Sequence, residues 1–195
     1  MSKDIVKKAV LALKKGEIIC YPTDTLYGIG ADIKNIESVE KVFHIKKRPM
    51  NIPLSVAVSS KKSLEKIAFL NGTADTLIDR FLPGPLCIIL KKREIVPDLV
   101  TSGLKKVAVR IPDNKTALSI LSLFGPVTCT SANIHKNPTP KVISDIRMQF
   151  KDDISIYIDE GKLSSKPSTI VDLTGKELKI IREGIISKDE IFDVI

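Results

Sequence analysis

The stretch Ile18-Ile19-Cys20-Tyr21-Pro22-Thr23-Asp24-Thr25-Leu26-Tyr27-Gly28 opens the reading of this chain. Ile18 to Tyr21 reads as a short strand. It runs into a loop that carries hydroxyls and one carboxylate. An amphipathic segment then leads to Lys46-Lys47-Arg48-Pro49. A strand that presents hydroxyls, followed by a basic pair at a helix end, suits a small polar substrate held beside a polyphosphate. Pro22-Thr23-Asp24 also reads as a plain turn, with Thr and Asp bonding local backbone.

Working outward, strands and helices alternate. Val6, Ala9, Val10 and Leu13 follow helical spacing, and Gly16 ends that helix. Asn35 or Ser38 starts a second helix with Ile36, Val39, Val42 and Phe43 on its apolar face. Ser60 caps a helix over 61–69, another spans about 74–81, and a third spans about 116–123. Thr139-Pro140 reads as a cap and first position of a helix with Val142, Ile143, Ile146 and Phe150 on one face. A last helix follows Ser187. Strands are expected at 54–58, 86–90, 107–111, 127–129, 154–158, 169–173 and 178–181. No linker or composition break interrupts the series. The expectation is α/β: a single domain over 1–195 on a twisted open mixed sheet with flanking helices.

Of 195 residues, 43% are hydrophobic but only 5% aromatic, with no Trp, so the core is aliphatic. No apolar run reaches the length of a membrane span, and the first residues do not read as a signal peptide. Cys20, Cys87 and Cys129 lie in apolar runs without a CxxC pair, which suits buried thiols in a reducing cytosol. The formal charge of +8 favours anionic partners, nucleotide and RNA alike. A solvated lysine-rich surface explains it equally well.

Familiar chemistry motifs are missing. There is no P-loop, Gly28-Ile29-Gly30 lacks the third glycine of a dinucleotide fingerprint, and no GxSxG elbow occurs. His44 and His135 have no partners at metal-ligand spacing. What remains is a set of polar clusters at strand ends, the place where ligands sit in open α/β sheets. If the chain breaks helix before Pro49, Lys46 and Arg48 turn to one side as a phosphate-binding pair; a solvated helix end is the rival reading. Arg110 interrupts an apolar strand and needs an anionic partner, from protein or ligand. Ser131 and Asn133 close another strand, Thr139 follows, and Ser168 and Arg182 flank the last two strands. No base or nucleophile stands out, so any catalysis here works by positioning and charge stabilisation.

In this order the clusters resemble the YrdC-like family of threonylcarbamoyl-AMP synthases. The signals are PTDTLYGIGAD (22–32), KKRP (46–49), PLSVAV (53–58), PGPLCIIL (83–90), VAVRIP (107–112), TSAN (130–133), PSTIVDLT (167–174) and IIREG (180–184). The resemblance implies a basic concave cleft and a nucleotidyltransfer in which L-threonine, bicarbonate and ATP give threonylcarbamoyl-adenylate and pyrophosphate. It implies Mg2+ with the ATP, a cytoplasmic location, and a downstream transferase that modifies tRNA, with direct tRNA contact possible. By the same resemblance, Lys46 and Arg48 hold the ATP phosphates and are the catalytic pair. Thr23, Arg110, Cys129 and Ser168 meet L-threonine. Ser131, Asn133, Thr139 and Arg182 meet the nucleotide. The chain departs from the family pattern at Ala57, Cys87, Lys106, Asn114 and His135-Lys136-Asn137. An RNA-binding module of the same fold, using its basic cleft, is the alternative; few aromatic platforms are available for base stacking.

Overall fold

The computed structural model describes residues 3–195. Helix α1 (Lys3–Lys14) buries Ala9 and Leu13, and Gly16 stops it with a left-handed φ of 75°. Strands β1 (Ile19–Tyr21) and β2 (Gly28–Gly30) pair antiparallel. The Gly28-Ile29-Gly30 run is therefore strand, with Gly30 packed so closely on the Tyr21 ring that a Cβ would lie 2.8 Å from it.

Side-chain caps explain the next helices. Asn35 accepts from Ser38 N to start α2 (Ile36–Ile45), and Ser60 accepts from Ser63 N to start α3 (Lys61–Glu65). Helix α3 ends earlier than its sequence periodicity suggests. Phe69 N donates to Lys91 O instead, and Ala68 bridges to Lys92. Strand β3 (Ser55–Ala57) separates α2 from α3. Asn71 caps α4 (Gly72–Phe81), and Asn114 caps α5 (Lys115–Phe124). Between those helices run β4 (Leu86–Lys91) and β5 (Lys106–Arg110). The chain continues through β6 (Val127–Thr128), β7 (Thr130–Ser131), α6 (Ile143–Phe150), β8 (Ile156–Tyr157), β9 (Thr169–Asp172) and β10 (Lys179–Arg182). It closes with α7 (Lys188–Phe192), held by a capping box between Ser187 and Glu190.

The expected α/β architecture with mixed sheets and flanking helices is present, with two differences. The strands divide between two sheets, ordered β7-β2-β1-β8 and β10-β9-β4-β5-β3-β6. The chain crosses from the second to the first at Cys129, whose N–H donates to Ser55 O. Thr128 stitches the seam: its hydroxyl donates to Ile29 O and accepts from Ala31 N. A second difference concerns Thr139. Helix α6 begins at Ile143 with Val142 at the cap, not at Thr139. Residues before it are held elsewhere, since Asn133 Nδ2 donates to Asn137 O and Leu163 N donates to Lys141 O.

The apolar core lies between the larger sheet and its helices, with Val56, Ile88, Val109 and Val171 fully buried. A smaller cluster joins α1 and α5 to the back of β1. Among the described residues, no helix is long and apolar enough to cross a membrane.

Candidate active site

Register across the larger sheet sets the floor of the site. Arg182 on β10 faces Ile170 on β9, which faces Cys87 on β4. One step beyond the pair Ile88 and Val109, Cys87 stands opposite Arg110 on β5, which in turn faces Ala57 on β3. Two arginines thus share one transverse row, three strand spacings apart, or ~14 Å at the backbone. Cys87 and Ile170 form the less polar ground between them. A cavity of about 480 Å³ opens over this row.

One wall is the Thr23 loop. Thr23 is buried, and its hydroxyl donates to Leu26 O at 2.7 Å while accepting from the N–H groups of Thr25 and Leu26. Both readings of this segment hold together: the loop is a turn built on Thr23, and Thr23 and Thr25 line the cavity. Asp24 points to Arg110 and accepts from Nη2 at 2.5 Å, while Arg110 Nη1 donates to Thr25 Oγ1. Arg110 therefore has a protein anion as partner, and it still lines the cavity. Asp24 Oδ2 and Arg110 Nε are buried with no hydrogen-bond partner among the described residues. Tyr27 reaches out of the same loop. Its buried hydroxyl donates to Gly161 O at 2.7 Å and accepts from Glu160 N. Burial pushes its pKa up to about 12, so it stays a donor. It ties the Thr23 loop to the segment that leads to Ser168.

The opposite wall begins where α2 ends. Lys46 caps the C-terminus of α2, one residue past Ile45, and Lys47 takes a left-handed φ of 50°. Arg48 N donates back to Phe43 O and Lys47 N to His44 O, the bond pair of a Schellman ending. This reversal parts the two cations that the sequence places side by side. Arg48 lines the cavity, with Nε donating to Ile52 O and Nη2 to Pro53 O. Lys46 is 1% exposed and stands behind the wall. Its ammonium donates to Ser131 O at 2.5 Å and Asn133 O at 2.6 Å. Burial, with Arg48 nearby, pushes its pKa down to about 7.

Ser131 and Thr139 line the cavity. Asn133 does not; it is buried behind, where its Oδ1 accepts from Ser131 Oγ at 2.5 Å. At the far end, Ser168 and Arg182 complete the lining. Arg182 donates from Nε and Nη2 to Ser168 O. Ser168 Oγ is buried with no partner among the described residues, so its hydroxyl is available to a ligand group. Cys129 and Cys87 also line the cavity. Burial raises both thiols, Cys87 to about 11, so neither supplies a thiolate at neutral pH. All three cysteines are free and buried.

The structure also brings in residues that sequence reading passed over. Ser55 lies inside the PLSVAV strand and Lys141 follows the Thr139-Pro140 step that reads as a helix start; both line the cavity. Alternation along β3 places Ser55 on the face of Ala57 and Arg110, which is the one signal that points to it. Lys106 lies away from the cavity, paired to Asp172 at 2.7 Å. Asn114 holds Glu160 as well as capping α5. The cavity lining contains cationic side chains and hydroxyls but no carboxylate among the described residues. No group of three or more His, Cys, Asp or Glu able to hold a metal occurs among them either. A larger groove, about 820 Å³, lies at the other end of β4 beside Phe69 and Arg93, and none of the hydroxyl clusters reaches it.

Known proteins share this architecture. Residues 11–184 match the model of the Sua5, YciO and YrdC family, described as telomere recombination. A putative threonylcarbamoyl-AMP synthase of Methanocaldococcus jannaschii is 43% identical over 185 residues, covering 92% of this chain and 87% of that protein. The threonylcarbamoyl-AMP synthase of Pyrococcus abyssi is 36% identical over 186 residues. Its match covers 94% of this chain but 55% of that longer protein. The crystal structure of P. abyssi Sua5 complexed with L-threonine superposes with a TM-score of 0.93 at 34% identity, covering 97% of this chain and 57% of that one. Escherichia coli YciO superposes with a TM-score of 0.90 at 26% identity, covering 94% of its chain. The chain belongs to the Sua5/YciO/YrdC family.

Proposed function

We propose that this protein is an L-threonylcarbamoyladenylate synthase. The observation that carries the reading is the single cavity that gathers Thr23, Arg48, Arg110, Ser131, Ser168 and Arg182 from six separate segments. The relatives named threonylcarbamoyl-AMP synthase support it, as does the relative solved with L-threonine.

In this reading the amine of threonine and bicarbonate give a carbamate with loss of water. A carbamate oxygen then attacks the α-phosphorus of ATP, a new P–O bond forms, and pyrophosphate departs with the old one. The chain's part is to bind and orient. Thr23, Ser168 and Cys129 surround threonine, and Arg110 sits where a carboxylate would be drawn. Asp24, its ionic partner, keeps that guanidinium fixed before substrate arrives. Arg48, Thr139 and Ser131 face the polyphosphate, and Arg182 stands at the nucleotide end. In this reading Lys46 and Asn133, buried and outside the cavity lining, support that set from behind. With Arg48, Arg110 and Arg182 and no carboxylate in the lining, negative charge that grows on the departing pyrophosphate is stabilised electrostatically, and no base is needed at the wall.

The lining residues do not fit a protein-held metal, because they offer hydroxyls and cations. Mg2+ therefore enters as the counter-ion of ATP and is part of the substrate. We assign the work to the cytoplasm, where ATP is supplied and three free thiols stay reduced. A tRNA-modifying transferase is the consumer of the adenylate. The test is direct: purified protein with ATP, magnesium, threonine and bicarbonate releases pyrophosphate only when threonine is present. Folded protein that shows no threonine-dependent release refutes the assignment.

A further inference from the structure

We infer that Lys46 is a positioning residue: a buried strut that holds the Ser131–Asn133 turn from behind, and does not itself touch phosphate. The inference rests on the proposed adenylate-forming site and reassigns one of its cations.

Three observations carry it. First, the ammonium has three donors, and three acceptor oxygens stand around it: Ser131 O at 2.5 Å, Asn133 O at 2.6 Å and Asn133 Oδ1 at 3.5 Å. No donor is left over for a ligand. Second, the backbone of Lys46 grips the same turn, since His135 N donates to Lys46 O at 2.8 Å. The residue therefore clamps the segment at both ends. Third, the left-handed Lys47 sends the Arg48 chain toward the cavity and leaves the Lys46 chain inside, 1% exposed. A non-glycine residue keeps that conformation only where surrounding structure demands it.

The consequence is specific. Ser131 Oγ donates to Asn133 Oδ1, and Ser131 lines the cavity while Asn133 does not. Lys46 acts on the nucleotide through Ser131, by fixing where that hydroxyl stands. Arg48 acts on it directly.

Two experiments decide the matter. In the first, nucleotide-free wild-type protein is treated briefly with acetic anhydride and its lysines are read by peptide mass. Lys47, which is exposed, reacts; Lys46 stays unmodified, and ATP makes no difference to it. Modification of Lys46 at the rate of Lys47, with protection by ATP, overturns the inference. This readout needs no turnover, so it stands even if the synthase assignment fails in the pyrophosphate assay. In the second, Lys46→Met raises KM for ATP about tenfold or more, with kcat within about threefold and KM for threonine within about twofold. Combined with Ser131→Ala, it is no worse than the more damaging single change, whereas Arg48→Met and Ser131→Ala multiply. Multiplying effects of Lys46→Met and Ser131→Ala refute the strut.

Discussion

The carboxylate of Asp24 meets the guanidinium of Arg110 at 2.5 Å, across 86 residues of sequence, with both side chains close to full burial. The pair joins the Thr23 loop to the floor of the larger sheet. Removing one charge of such a pair strands the other, which costs about 3–5 kcal/mol. Asp24→Asn keeps the shape and removes the charge, so it destabilises the fold by about 3 kcal/mol in urea denaturation. Adding Arg110→Met to it restores part of that loss, because no uncompensated cation remains. A change below about 0.5 kcal/mol in Asp24→Asn would show that the pair contributes little.

Arg48 is the cation of the KKRP segment that faces the cavity, and its Nε and Nη2 are already anchored on Ile52 O and Pro53 O. The anchoring fixes the direction of the remaining donors. Arg48→Ala lowers kcat/KM for ATP about 100-fold, the size of one lost charge-assisted contact of ~3 kcal/mol, and shifts the melting temperature by only a few degrees. Arg48→Lys recovers little of this, since a lysine ammonium is one point charge without the planar fork whose separate nitrogens reach Ile52 O, Pro53 O and a phosphate together. Full activity in Arg48→Ala removes it from the site.

Local chemistry was legible in the sequence, and chain-distant pairing was not. Asn35, Ser60 and Ser187 act as the helix caps that their side chains suggest, because a cap is decided within four residues. Thr23, Arg110 and Ser168 could be singled out because hydroxyls and a charge at strand ends break an apolar pattern. Nothing local announces that Asp24 neutralises Arg110, or that Lys46 turns inward to Ser131, 85 residues away. The step from β6 in one sheet to β7 in the other takes a single residue, Cys129, whose N–H donates to Ser55 O far back in the chain. Thr139-Pro140 illustrates the opposite failure: a sound local cap signal is overridden because Lys141 O accepts from Leu163 N.

Gly184 gives a prediction that sequence alone would not quantify. A Cβ there would lie 2.1 Å from Pro167 O and 2.6 Å from Ser168 C, both backbone atoms that cannot swing aside. Its N–H also donates to Thr169 Oγ1. Gly184→Ala must push the start of β9 away, carrying with it Ser168 and the carbonyl that receives Arg182. The expected result is a loss of about 3 kcal/mol and a rise in KM for threonine larger than that for ATP. Unchanged melting and unchanged KM values would mean that this close approach does not constrain Ser168.

Lys46 also sets a pH dependence, and its sign follows from burial. Unfolded, the amine titrates at its ordinary 10.5; folded, burial brings it down to about 7. Below about 7 both states carry the proton, and the folded state bears the full cost of a buried ammonium. Between about 7 and 10.5 the unfolded chain holds a proton that the folded chain has released, so stability gains with rising pH. One full proton corresponds to ~1.4 kcal/mol per pH unit, and the Ser131 and Asn133 carbonyls, which favour the ammonium, reduce the slope. The difference in unfolding free energy between wild type and Lys46→Met therefore moves in favour of wild type from pH 6.5 to pH 9.5 in urea titrations. A difference that stays flat across that range would mean that the carbonyls hold the proton on Lys46 throughout, and that its folded pKa lies near the unfolded one.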